Sequence, residues 1–271
     1  MLGRLLKYDI KSTGRVLLPL YGALLGAAVL LGFSLSPMFN SQTYPNSMGG
    51  GSMIMTSISS VLYVILIAAV AIVTLVMILY IGFYKSLLGA EGYLRFSLPV
   101  STGQQLASKT INALIWMALA GVLAILSIIF LTVSAVGYTS IHQGIVQMFH
   151  SGFHISPEFT SYMWQIILLA IAGGVSFVLK VFMSITVGHE WSAHPVVGAL
   201  LMYIGVSILE TVIAYLLLVE SSLTKAMNAV SMDTDATVHG FLWGTLAITL
   251  VMAAIFYAVT WYMLDRRLNL Q

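Results

Sequence analysis

The chain has 271 residues, of which 59% are apolar and only 7% charged, against roughly 25% charged in an ordinary soluble domain. That composition excludes a water-soluble globule. With 11 Lys+Arg and 9 Asp+Glu, nearly every charge belongs to the small part of the chain that meets water, and the absence of cysteine excludes disulfides, thiolate metal sites and cysteine nucleophiles.

At the start of the chain, Leu2, Leu5, Leu6 and Ile10 share one helical stripe and Arg4, Lys7, Lys11 and Arg15 another. This is the pattern of an amphipathic helix over residues 1–15 lying in the inner headgroup layer, its cations toward anionic lipid. Beyond it the chain contains six stretches, Val16–Leu35, Ile58–Tyr84, Ile111–Gly137, Tyr162–Val187, Val196–Val219 and Gly240–Leu264. Each is near or above the roughly 20 mostly apolar residues that cross a ~30 Å hydrocarbon core as a helix. The first follows a basic start as a signal peptide would, but it exceeds the ~7–15 residues of such a segment and no small-x-small site follows, so it is read as a span. Backbone polar groups in a bilayer must bond within their own segment, and ten-residue alternating strands are absent from the sequence, so the spans are helices. The expected fold is all-α and polytopic, a six-helix transmembrane domain over residues 16–271.

Basic residues set the orientation, because they stay in the cytoplasm. Arg4, Lys7, Lys11 and Arg15 precede the first span, Lys85, Arg95 and Lys109 lie between spans two and three, and Arg266 and Arg267 follow span six. All fall on one side, Lys180 lies near that side in span four, and only Lys225 falls on the other. Both termini are therefore expected in the cytoplasm, with outer loops near residues 36–57, 138–161 and 220–239.

The inner segment from Lys85 to Lys109, KSLLGAEGYLRFSLPVSTGQQLASK, is long for a turn. Leu87, Leu88, Tyr93, Leu94, Phe96 and Leu98 do not belong in a solvated loop and require something to pack against. Gly89 and Gly92 bracket Glu91 and allow a sharp bend, Pro99 ends any helix before it, and Ser101 with Gln104 forms a capping box for the next helix.

Other features carry less. No G-x-x-x-x-G-K-[ST] phosphate loop occurs, and the inner loops are too short for a nucleotide-binding domain. His189 and His194 are spaced i,i+5 rather than the i,i+4 of a zinc-protease helix, so they read as a polar inner turn. His142, His150, His154 and Glu158 form at most a weak metal cluster, broken by Gly152 and Pro157. Met38, Met48, Met53 and Met55 are read as apolar packing. Lys180 and Glu210 fall within spans, where charges are functional candidates by default. Lys180 is read as snorkelling to the headgroups. Glu210 has no base at i±3 or i±4; either it is protonated and bonded to a neighbouring helix, or span five bends back and brings it near water, the preferred reading because Glu220 and Lys225 follow closely. Gly22-x-x-x-Gly26 and Gly240-x-x-x-Gly244 permit close helix approach.

The stretch Tyr84–Leu94 followed by Leu98-Pro99-Val100-Ser101, together with six spans, inside termini and a basic amphipathic start, resembles the six-span permease subunits of ABC-2 class ABC transporters. The segment is similar to that between the second and third spans in bacterial permeases of the antimicrobial-peptide and bacitracin export and immunity group. The architecture covers nearly the whole chain, the motif about 25 residues. The resemblance implies a type V exporter-like subunit in the bacterial cell membrane, paired with a second copy or a homologous permease on two copies of a cytoplasmic ABC ATPase. Cofactors are then absent from this chain, ATP and Mg belonging to the ATPase, and no nucleic acid is involved. Leu87, Leu88, Glu91, Gly92, Tyr93, Leu94, Phe96, Leu98 and Pro99 would form the coupling helix docked in the ATPase, and Arg4, Lys7 and Lys11 would lie on a connecting helix along the membrane lipid. The region from Glu210 to Asp235 would form short re-entrant helices. The implied function is export or flipping of a hydrophobic or amphipathic substrate such as an antimicrobial peptide, lipid or drug, and the chain alone is no enzyme. The alternatives are an ion-gradient-driven secondary transporter or channel, and an intramembrane hydrolase, for which no matching set of catalytic residues is found.

Overall fold

The computed structural model describes residues 2–39, 50–88, 100–150, 157–191, 194–228 and 234–266. Among them every regular element is helical: α1 (Leu2–Phe39), α2 (Gly50–Val76) continuing as a wider π-helix over Met77–Leu88, α3 (Thr102–Val136), α4 (Tyr138–His150), α5 (Pro157–Gly188), α6 (Pro195–Asn228) and α7 (Thr234–Arg266). Among the described residues six stretches are long and apolar enough to cross a membrane: Gly3–Ser36, Ser57–Leu88, Thr102–Val136, Phe159–Gly188, Pro195–Leu216 and Val238–Arg266. They coincide with the six expected spans and mark a multi-pass membrane protein. Large apolar side chains such as Leu30, Val64, Ile125 and Ile208 are exposed, an arrangement that hydrocarbon solvent tolerates and water does not.

The chain divides into two compact units, residues 7–80 with 115–154, and residues 1–6, 81–114 and 155–271. In the first, α1 buries Thr13, Leu17, Tyr21, Leu24 and Ala28, a stripe at the three-to-four-residue spacing of one helix face. The buried Tyr21 hydroxyl lies 3.2 Å from Thr74 Oγ1 of α2 and donates to the Trp116 carbonyl of α3 at 3.4 Å. Tyr63 and Ser127 pair their hydroxyls at 2.8 Å. In hydrocarbon such groups bond across helices because no water is there to take their place.

Close approach in this unit falls at Gly32, where a Cβ would crowd Ser134 and the Leu131 carbonyl of α3. Gly22 and Gly26, whose spacing permits close approach within the chain or between copies, face open space within this chain, since the stripe that packs passes through Leu24 and Ala28 and leaves those glycines on the other side. Residues 2–15 are helical and continue without a break into the first span, Pro19 removing one backbone bond at Arg15 without ending α1. The loop expected from Tyr138 carries helix α4, set off from α3 at Gly137, whose φ of 88° is a conformation only glycine adopts freely.

In the second unit α5 packs against both α6 and α7. Leu179 and Met183 of α5 meet Met252, Ala253 and Phe256 of α7, with Val206 of α6 against the cluster. Gln165 and Ser161, near the start of α5, bond His239, near the start of α7. The constant sequence offset of these contacts makes α5 and α7 parallel. Helix α6 begins close to the end of α5: the Trp191 N–H bonds the Gly188 carbonyl at 3.1 Å, the His194 N–H the Trp191 carbonyl at 3.2 Å, and the Gly198 N–H the His194 carbonyl at 3.0 Å. Gly188 rests directly on the backbone of Ala199, so no side chain fits there.

Candidate functional site

The segment singled out most strongly by the sequence is held at both ends by defined structure. Ile78, Phe83 and Leu88 are buried at five-residue intervals, the i→i+5 spacing of the π-helix that carries them. Phe83 stacks on Phe182 of α5 with ring centroids 3.9 Å apart, and Leu87 and Leu88 are buried beside it. At the far end Ser101 caps α3, accepting the Gln104 N–H at its side chain (3.4 Å) and at its carbonyl (3.0 Å). Thr102 donates to Asp265 of α7 at 3.0 Å, and Tyr257 of α7 donates to the Gly103 carbonyl at 3.3 Å. Glu91, Gly92, Tyr93, Leu94, Phe96, Leu98 and Pro99 lie outside the described residues. Arg4, Lys7 and Lys11 are exposed on the first turns of α1.

The two charges within the spans come together. Lys180 Nζ of α5 donates to Glu210 Oε2 of α6 at 2.8 Å, with side chains 14% and 25% exposed. This corrects both expectations: Lys180 does not snorkel, and Glu210 sits inside one uninterrupted helix running to Asn228 rather than at a bend. The physical reason is that a lone charge in hydrocarbon is far costlier than a paired one. An opposite charge 30 residues away on the next helix supplies the pair. Tyr203, two turns before Glu210, adds its ring face 5.2 Å from the Lys180 ammonium.

Around the pair opens a pocket of ≈ 460 Å³ lined by Ser207, Thr211, Ala214, Tyr215 and Phe241 as well as the two charges. An adjoining groove of ≈ 330 Å³ shares Ser207 and Thr211 and continues over Tyr203, Ile204, Ile208 and Val212. Both lie within the range of small-molecule sites. Each charge has capacity to spare, since an ammonium carries three donors and a carboxylate two acceptor oxygens. The Ser207 Oγ and the Ser176 Oγ, one turn before Lys180, are buried and make no hydrogen bond among the described residues.

Residues that sequence reading passed over share a detectable signal. Ser176, Lys180 and Ser184 recur every four residues on α5, and Tyr203, Ser207 and Glu210 at i−7, i−3 and i on α6, so each forms a polar stripe on an otherwise apolar helix. His239 belongs to a second polar junction: Nδ1 lies 2.8 Å from Gln165 Oε1, Nε2 lies 3.4 Å from Ser161 Oγ, and the ring stacks on Tyr162 at 4.4 Å. With Nδ1–H donated to the Gln165 carbonyl, the neutral ring accepts from Ser161 at Nε2. Among the described residues no group of three or more His, Asp or Glu is placed to hold a metal, and His189 sits instead against the Tyr84 ring at 5.8 Å.

No protein-family model, curated protein or solved structure matches the chain.

Proposed function

We propose that the chain is the membrane-spanning subunit of an ATP-driven exporter or flippase, working as a pair on two copies of a separate cytoplasmic ATPase that binds ATP and Mg. The observation that carries this reading is the resemblance of residues 84–101 to the coupling segment of ABC-2 permeases. Support comes from the way the segment is anchored. It leaves the membrane from a stacked Phe83–Phe182 pair and re-enters at a capped helix tied to α7 through Asp265. A push on the segment is thereby delivered to α5 and α7, the helices that with α6 frame the charged pocket.

In this mechanism, closure of the two ATPases on ATP moves the coupling segments together, and the permease pair exchanges an inward-facing for an outward-facing cavity. Leu94→Asp places a charge on the apolar face expected to dock. It is expected to abolish ATPase binding and ATP-dependent transport while the purified permease keeps its melting temperature. Retention of both activities would remove the coupling assignment.

The Lys180–Glu210 pair favours a second reading, transport driven by an ion gradient, because paired intramembrane charges are common on ion and proton paths. Uptake into proteoliposomes under a proton or sodium gradient, with no ATPase present, separates the two.

A further inference from the structure

We propose that the Lys180–Glu210 pocket and its adjoining groove form one site for a diacyl lipid with a zwitterionic headgroup, one that carries both an ammonium and a phosphate. The inference deepens the exporter reading by naming its substrate class and rests on that reading for turnover, although binding itself needs no ATPase.

The pair lies within two of the apolar stretches. Lys180 precedes the end of α5 at Gly188 by eight residues, about 12 Å at 1.5 Å per residue. Glu210 follows the start of α6 at Pro195 by 15 residues, about 22 Å on the same scale. Both charges therefore lie within the apolar stretches Phe159–Gly188 and Pro195–Leu216 and not at their ends. A fixed ion pair there has no packing role that an apolar pair could not fill, whereas a ligand bearing both signs satisfies it fully.

The chemistry matches term by term. The carboxylate oxygen that Lys180 does not engage can accept from an ammonium. The remaining Lys180 donors can donate to a phosphate. A purely anionic headgroup would compete with Glu210 for Lys180 and leave the carboxylate uncompensated, and an uncharged one would use neither. The shared rim at Ser207 and Thr211 joins this polar end to a groove that is apolar along Ile204, Ile208 and Val212, which suits an acyl chain. Head and tail chemistry thus lie side by side along α6, where Ile204, Ile208 and Val212 are exposed and open to lipid.

The test is native mass spectrometry of the purified permease, without ATPase or nucleotide, mixed with phosphatidylethanolamine, phosphatidylglycerol or diacylglycerol of identical acyl chains. The expected result is retention of the zwitterionic lipid at least about tenfold over the other two, the scale of one charge-assisted hydrogen bond. Lys180→Met with Glu210→Gln, which removes both charges and keeps the shapes, is expected to erase that preference. Ile208→Trp, which fills the groove without touching the pair, is expected to weaken retention of all three and serves if the double variant fails to fold. Equal retention of the three lipids by the wild type, an unchanged preference in the double variant, or undiminished retention by Ile208→Trp would overturn the site, as would a second copy of the chain covering α6 and excluding lipid. Because no ATPase takes part, failure of the site and failure of the exporter reading are scored separately.

Discussion

Lys180 and Glu210 show how a membrane interior turns a residue-level liability into a specific contact. Each alone would leave an uncompensated charge in hydrocarbon; together, at 2.8 Å, they tie α5 to α6. Interhelical polar pairs in bilayers contribute modestly, because the separated helices find other partners. A double-mutant cycle with Lys180→Met and Glu210→Gln is therefore expected to give a coupling of about 1–2 kcal/mol, with each single variant less stable than the double. A coupling near zero in thermal or denaturant unfolding would make the pair incidental. The separate identities of these residues were legible in the sequence as rare intramembrane charges; their partnership was not. A search at i±3 and i±4 sees only one helix, and the partners sit on two. The polar stripes through Ser176 and Ser207 carried the missing information, since they mark the face each helix turns inward.

Among the helices, what was legible and what was not divides along the same line. Span positions follow from the run of apolar residues within a segment, and so does the Ser101 cap, which needs only a side chain and an amide three residues on. Properties that depend on a neighbour did not follow. Gly22 and Gly26 have the spacing of a packing motif, yet the approach is made at Gly32, because the buried stripe of α1 is set by Leu17, Tyr21 and Leu24. Helix α4 escaped notice because its Thr, Ser, Gln and His residues read as loop. The α5–α6 hairpin gives a sharp test. Gly188→Val forces a branched side chain into the Ala199 backbone and is expected to lower stability by about 2 kcal/mol or more, with a clear fall in melting temperature. Gly22→Ala, in open space, is expected to be neutral or slightly stabilising, since alanine is the better helix former. Equal effects would mean that the hairpin is not packed as described.

At the scale of the whole molecule, the distribution of basic residues predicts both termini and residues 85–109 in the cytoplasm and α4 on the opposite side. The chain contains no cysteine, so single cysteines label cleanly. In intact cells a membrane-impermeant maleimide is expected to modify Ser140→Cys and to spare Gly3→Cys until the membrane is opened; the reverse pattern would invert the topology. The proposed function requires that topology, because it has residues 85–109 meet an ATPase, and with it the central claim stands or falls. The most direct measurement is to purify the tagged protein from its native membrane in mild detergent and determine, with stoichiometry, what accompanies it. The account predicts a soluble ATPase bearing a phosphate loop, recovered at about one per permease. Recovery of the chain without any ATPase, under conditions that keep a known transporter complex intact, would contradict it.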